Sequence, residues 1–216
     1  YWIKKRRRVP MFNILTANIH FYAPVLLPRE NLIRKSVFGL GKAIMNRYAD
    51  RIEGTFVLSP GMRRALTREF YSLDPAGVFP LIRPLDPEEF AARSRPTDVY
   101  RRFPSPRGRR LVTLSRLCPT KNVGFLVRTF ARHIYPRDRS LHFYVAGHCP
   151  LEGELRRQAA ALGCPNIHFP GTIPYEAVPA FLAEADAFLY ASPSETFGNA
   201  VCEAKHAGLP VVAVDD

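Results

Sequence analysis

The sequence predicts an α/β fold, a Rossmann-like parallel sheet with helices on both faces, and three observations carry that reading. From "RRLVTLSRL" onward, short β-branched or aromatic runs alternate with amphipathic helical windows. The runs are apolar almost throughout, as strands covered on both faces must be. Turn residues stand where helices should begin and end: Pro174 before one, Gly163 and Gly208 after two others.

Taken in order, the first elements are the less regular ones. Residues 31–52, "NLIRKSVFGLGKAIMNRYADRI", form a helical window with an apolar stripe through Leu32, Val37, Leu40, Ile44 and Tyr48. A strand, "GTFVLS", and a helix over 60–70 follow, and "GVFPLIRPLDPEEF" reads as a strand entering a turn. Residues 94–108, rich in Arg, Pro and Ser, read as a linker between domains at 1–107 and 108–216. Beyond it, the strands "LVTLS", "LHFYVAG", "NIHFPG", "AFLYAS" and "PVVAV" alternate with helical windows at 122–134, 151–163, 175–185 and 196–207. The first half has too few strands to close a sheet of its own.

Charge divides the chain as well. Residues 1–110 carry 22 Lys and Arg against 9 Asp and Glu, while 111–216 carry 9 against 10. The basic half, opening on Lys4-Lys5-Arg6-Arg7-Arg8, suits an anionic membrane surface or nucleic acid, or is a solvated surface. A nucleic-acid-binding module is disfavoured, because neither an aromatic-basic RNA-binding motif nor a helix-turn-helix is visible. The cysteines at 118, 149, 164 and 202 form no Cys-x-x-Cys pair and read as reduced cytosolic thiols. No apolar run reaches the roughly 18 residues of a spanning helix. Pro10, Asn13, Asn18 and His20 interrupt the opening stretch, which is therefore not a signal peptide. A start at Tyr1 and an acidic end after a strand-like run suggest a piece of a longer protein.

Two segments are equipped for an anion. In "LSRLCPTKN" a strand runs into Arg116, and Lys121 follows just before a helix. A guanidinium and an ammonium at this spacing can grip two phosphates of one diphosphate, although two solvated cations would look the same locally. In "SETFGNA" a strand must turn into a helix near Phe197, Gly198 and Asn199, whose amides favour negative charge. Glu195 stands before or at that helix start and Glu203 two turns inside it. Eight helical residues span about 12 Å, beyond the roughly 5–9.5 Å of a glycosidase pair. The two acids read instead as acceptors for paired hydroxyls, or as a helix cap and an exposed side chain.

The stretches "LSRLCPTKN", "VAGHCPLEGELRRQAAALG" and "NIHFPGTIPYEAVPAFLAEADAFLYASPSETFGNAVCEAKHAGLPVV", in this order over roughly 111–214, resemble the carboxyl-terminal domain of retaining GT-B glycosyltransferases of family 4. The resemblance implies a GT-B fragment, with the rear of an acceptor-side Rossmann-like domain at 1–107 and a truncated nucleotide-sugar-binding domain at 108–216. It implies hexose transfer from a nucleotide diphosphate sugar with retention of configuration, no cofactor and no metal. Arg116 and Lys121 would hold the diphosphate, the Phe197–Asn199 backbone would support diphosphate and sugar, Glu195 would bind sugar hydroxyls, and Glu203 the ribose diol. "TANIHFYAP" is similar to the family segment whose histidine faces the donor sugar, which makes His20 the counterpart. The family's Gly-Asp-Gly-Pro turn stands here as Gly147-His148-Cys149-Pro150, without the acid and the second glycine. Arg83-Pro84-Leu85-Asp86 keeps only the proline and the acid of the family's Pro-Asn-Gly-Val-Asp.

The expected partners are thus a nucleotide diphosphate sugar and an acceptor, lipid-linked if the basic half docks on an anionic membrane, with no nucleic acid. The expected place is the cytoplasm, or the inner face of its membrane. The piece itself is expected to be inactive. A Rossmann module that binds nucleotide without catalysis is the rival reading.

Overall fold

The computed structural model describes residues 12–15, 39–40, 43–44, 46–47, 52–69, 73–81, 85–103, 108–193, 195 and 197–214. The chain forms two compact units, 1–84 with 194–197, and 85–193 with 198–216.

In the first unit, β1 (Phe12–Leu15), β2 (Gly54–Val57) and β3 (Val78–Pro80) form a parallel three-stranded sheet in the order β1-β2-β3. The sequence pattern does not predict the strand at 12–15, and with it this half does build a sheet. Helix α1 (Pro60–Arg64) starts where the Ser59 hydroxyl accepts from the Met62 amide, with Pro60 supplying a preset φ, and a wider π turn continues it over Ala65–Glu69. Its Met62 and Leu66 close a small core with Val57, Leu73 and Val78. Within the window 31–52, the described residues 39–40, 43–44 and 46–47 are helical, and Leu40 and Ile44 of the apolar stripe are exposed rather than packed. Leu32, Val37 and Tyr48 lie outside the described residues.

The second unit holds a five-stranded parallel sheet: β4 (Arg109–Leu114), β5 (Leu141–Ala146), β6 (Ile167–Gly171), β7 (Ala187–Tyr190) and β8 (Val211–Ala213), in the order β6-β5-β4-β7-β8. Alternation along the strands feeds two cores. Phe143 and Val145 of β5 and Leu189 of β7 join a cluster with Val127, Phe130 and Leu155. Tyr144, Ala146, Phe188 and Tyr190 point into the other cluster, with Phe181, Leu182 and Ala204. Helices α3 (Val123–Thr129, continued as a π turn to Ile134) and α4 (Glu152–Ala161) cover the first face. Helices α2 (Pro87–Ala92), α5 (Val178–Ala183) and α6 (Asn199–His206) cover the second. Helix α6 ends as its Gly-Leu sequel predicts: Gly208 adopts φ 79°, its amide donates to the Lys205 carbonyl and that of Leu209 to Ala204.

The expected linker is partly packed. Val99 and Tyr100 are buried on the second unit, where the Tyr100 ring stacks 5.2 Å from Phe181 and its hydroxyl donates to the Phe181 carbonyl oxygen at 2.6 Å. The Arg110 guanidinium lies 4.4 Å from the same ring centre. One Val-Tyr pair within a run of Arg, Pro and Ser thus outweighs the local composition. The second unit accordingly begins at Leu85, ahead of the expected division at 107/108.

Candidate functional site

Chain order against sheet order locates a crevice in the second unit. The chain builds β4, β5 and β6 toward one edge, then returns to place β7 and β8 on the other side of β4. The direction of winding reverses between β4 and β7, which pair through Leu111–Ala187 and Val112–Phe188. In open parallel sheets, ligands bind beyond the strand carboxyl ends at such a reversal. The loop after β4 carries Arg116 and Lys121, and the segment after β7 leads into Gly198 and α6.

The loop after β4 is held by its own backbone. The amides of Ser115 and Leu117 donate to Ala146 and His148, which continues the β4–β5 register past the strand ends. The amides of Cys118, Lys121 and Asn122 then close turns onto Arg116, Cys118 and Pro119, and Asn122 adopts φ 50° at the head of α3. Arg116 is exposed and Lys121 half-buried. The Ser192 hydroxyl donates to the buried Thr120 carbonyl oxygen at 3.0 Å, tying the end of β7 to this loop.

Gly147 explains what survives of the Gly-His-Cys-Pro turn. Its φ is 134°, and a Cβ there would stand 1.8 Å from the Ser115 carbonyl oxygen. Only glycine lets the turn press this closely on the β4 exit. At the head of α6, Gly198 is buried with φ 81° and has no side chain to occupy the first amides. Asn199 is exposed, and Phe197 and Glu195 are half-buried.

Glu203 sits one turn inside α6, not two, because the helix starts only at Asn199 and leaves Glu195 four residues ahead of it. Burial raises the Glu203 carboxyl above its usual range, and the nearby Arg93 guanidinium opposes the shift. Arg93 ends α2, pairs with Glu89 and lies over the Tyr175 ring at 4.6 Å. Its neighbour Phe90 meets the His206 ring edge-on at 6.4 Å.

Arg116, Lys121, Gly198, Asn199 and Glu203 therefore belong to loops and a helix of the second unit, whereas Glu195 and Phe197 group with the first. His20 lies outside the described residues. Among the described residues, no three His, Cys, Asp or Glu side chains gather as a metal site would need, and no helix is long and apolar enough to cross a membrane. The four cysteines form no disulfide.

Residues 108–216 match the family model described as glycosyl transferases group 1. The chain belongs to the group 1 glycosyl transferases. Over 104 residues it is 33% identical to alpha-monoglucosyldiacylglycerol synthase of Streptococcus pneumoniae, covering 48% of this chain and 23% of that protein. Over 126 residues it is 29% identical to the phosphatidylinositol N-acetylglucosaminyltransferase GPI3 subunit of Saccharomyces cerevisiae, covering 58% of this chain and 27% of that one. It thus spans about a quarter of the length of these curated relatives. Among solved structures, Anabaena Alr3699/HepE in complex with UDP superposes with a TM-score of 0.72 at 19% identity, covering 97% of this chain and 54% of that one. WaaG, a glycosyltransferase involved in lipopolysaccharide biosynthesis, superposes with a TM-score of 0.70 at 18% identity, covering 98% and 61%. The fold is that of the GT-B glycosyltransferases.

Three features of this group 1 glycosyl transferase were not read from the sequence. The Ser192–Thr120 tie joins residues 72 positions apart and has no local signature. Arg93 reaches the α6 surroundings from a helix where the sequence pattern predicts only a turn. The His148–Glu152 contact at 3.2 Å was legible in principle, since the two stand four residues apart where a helix begins.

Proposed function

We propose that this glycosyl transferase moves a hexose from a nucleotide diphosphate sugar, with retention of configuration, to a lipid-linked acceptor. The observation that carries the reading is the winding reversal between β4 and β7, with the Arg116–Lys121 loop after one strand and the glycine-headed α6 after the other. Two cations and a helix start suit a diphosphate, whose developing charge they stabilise as it departs without calling on a metal. Glu203 takes the ribose diol, Glu195 the sugar hydroxyls with the Phe197–Asn199 backbone, and His20 faces the sugar.

The donor class is supported by relatives of the same fold: Anabaena HepE was solved with UDP-glucose, and the pneumococcal O-GlcNAc transferase GtfA with UDP and GlcNAc. The lipid acceptor is supported by both curated relatives being named for lipids, and by 22 cationic residues within 1–110. Work at the cytoplasmic face of a membrane follows from that pairing, and binding to vesicles of acidic lipid should exceed binding to neutral ones and fade with salt. Transfer is assigned to a protein of the relatives' length, and the 216 residues alone are expected to bind donor without transferring sugar.

The test is calorimetry with UDP, GDP and ADP. Each charge-assisted bond contributes about 1.5–3 kcal/mol, so Arg116→Ala should weaken the preferred diphosphate about tenfold or more. Unchanged affinity would remove Arg116 from the site.

A further inference from the structure

Helix α2 brings a cation to Glu203. Phe90 of α2 meets the His206 ring of α6 edge-on at 6.4 Å and shares a core with Ala204. Arg93 follows Phe90 by three residues and Glu203 precedes His206 by three, so each stands one turn further along the same face of its helix. The Arg93 charge acts on the Glu203 carboxyl, which sets these two turns side by side. Helix α5 and strands β7 and β8, which also pack on α6, carry no charged residue. Neither member of the pair is satisfied elsewhere. Arg93 Nη2 meets Glu89 and the guanidinium lies over the Tyr175 ring, but Nη1 is buried without a hydrogen-bond partner. The Glu203 carboxyl is half-buried and accepts no hydrogen bond from a described residue. A half-buried anion without donors is costly, and the nearby guanidinium offsets that cost. Both carboxylate oxygens stay able to accept from hydroxyls.

We propose that Arg93 is a positioning residue for donor binding, acting through the Glu203 carboxylate that takes the ribose diol. The inference rests on the donor-site reading of Glu203 and goes beyond it, adding a residue that stands ahead of the region 108–216 matched by the family model. Burial works against the Glu203 charge, and Arg93 opposes that effect. An ionised carboxylate accepts from both ribose hydroxyls, whereas a protonated one gives up part of its accepting capacity to its own proton. Arg93 serves the nucleotide through its charge on Glu203. A lysine at 93 therefore keeps the function and a neutral side chain of similar length loses it.

The experiment is calorimetric titration of the chain with UDP, GDP and ADP and with their 2′-deoxy counterparts. The proteins are wild type, Glu203→Gln, Arg93→Met, Arg93→Gln, Arg93→Lys and the double variant Arg93→Met with Glu203→Gln. Two neutral replacements of Arg93 guard against a folding defect in either one. The readout is the affinity for the ribonucleotide divided by that for its deoxy form, which cancels the contributions of base and diphosphate. Wild type should prefer the ribose form about tenfold, the worth of a hydrogen bond to a charged group. Arg93→Met and Arg93→Gln should reduce the preference to about twofold, and Arg93→Lys should retain most of it. In the Glu203→Gln background, Arg93→Met should change the preference no further. A role confined to packing α2 on α6 would lower the melting temperature of the Arg93 variants and leave the preference at its wild-type value. That result, a preference lost equally in Arg93→Lys, or a further loss in the double variant overturns the assignment of Arg93 alone. If wild type binds none of the diphosphates, or Glu203→Gln keeps the full preference, the donor-site reading falls and this inference with it.

Discussion

The Ser192 hydroxyl donates to the Thr120 carbonyl oxygen across 3.0 Å, fastening the exit of β7 to the loop that bears Arg116 and Lys121. The two halves of the candidate site lie on segments 72 residues apart. Ser192→Ala should cost about 0.5–1.5 kcal/mol of stability. Diphosphate affinity should fall about threefold, because the loop must then be ordered on binding. Calorimetry and urea unfolding would measure both, and an unchanged affinity would mean that the loop is held by its own turns.

Gly147 is the strictest steric requirement at the crevice. Its φ is 134° and an added methyl group would stand 1.8 Å from the Ser115 carbonyl oxygen, so Gly147→Ala must move either the turn or the β4 exit. A loss of about 3 kcal/mol or more is expected, well above that of an ordinary surface change. Gly163→Ala, at φ 61° with nothing within 4 Å, should cost clearly less. Equal losses would place the strain in φ alone.

Tyr100 tests where the second unit begins. Tyr100→Phe removes only the bond to the Phe181 carbonyl oxygen and should cost about 1 kcal/mol, whereas Tyr100→Ala empties a stack and should cost about 3–5 kcal/mol. A chain starting at residue 108 should melt below one starting at residue 85. If the shorter chain melts as high, residues 85–107 are an accessory to the unit.

These residues also show what a sequence can disclose. The five strands after residue 108 were legible because both their faces are apolar, and the glycine after α6 because a left-handed residue ends a helix. The position of Arg116, Lys121 and Gly198 at strand-to-helix turns was legible, and the structure sets the two cations after β4 and the glycine at the head of α6. The strand at 12–15 was hidden within an apolar, irregular opening. Tyr100 was hidden because its partners, Phe181 and Tyr144, lie far along the chain. Helix α6 starts at Asn199, later than the expected window at 196–207, with Gly198 turning the backbone into it within the expected turn.

Glu203 should show opposed effects on binding and stability. Burial raises its carboxyl, so the folded state binds its proton more tightly than the unfolded chain does. The associated stability is present below the unfolded value and is lost as pH rises through the folded one. Glu203→Gln should therefore raise the melting temperature at pH 7.5, by about 2 °C, while weakening nucleotide binding. A lower melting temperature would mean that attraction to Arg93 outweighs the burial.

The far end of the sheet should respond to acid. His142 Nδ1 and His168 Nε2 lie 2.9 Å apart, and burial, then the neighbouring His142, lowers His168 to about 4. Burial lowers His142 as well. Both rings are neutral in the folded state and take up protons on unfolding, so stability present above about pH 6.5 is lost as pH falls toward 4. Urea midpoints at pH 7, 6 and 5 should fall in wild type and fall less in His168→Gln. Parallel declines would assign acid sensitivity to other groups.

A diphosphate is expected to bind where the sheet's winding reverses, between the exits of β4 and β7. Backbone amide spectra of the isotope-labelled chain, recorded as nucleoside diphosphate is added, test it residue by residue. The largest shifts are expected at 115–122 and 198–201, with Arg110, His142 and Ile167 at the opposite strand ends unmoved. Shifts concentrated at those opposite ends, or spread over the basic first unit with 115–122 silent, would contradict it.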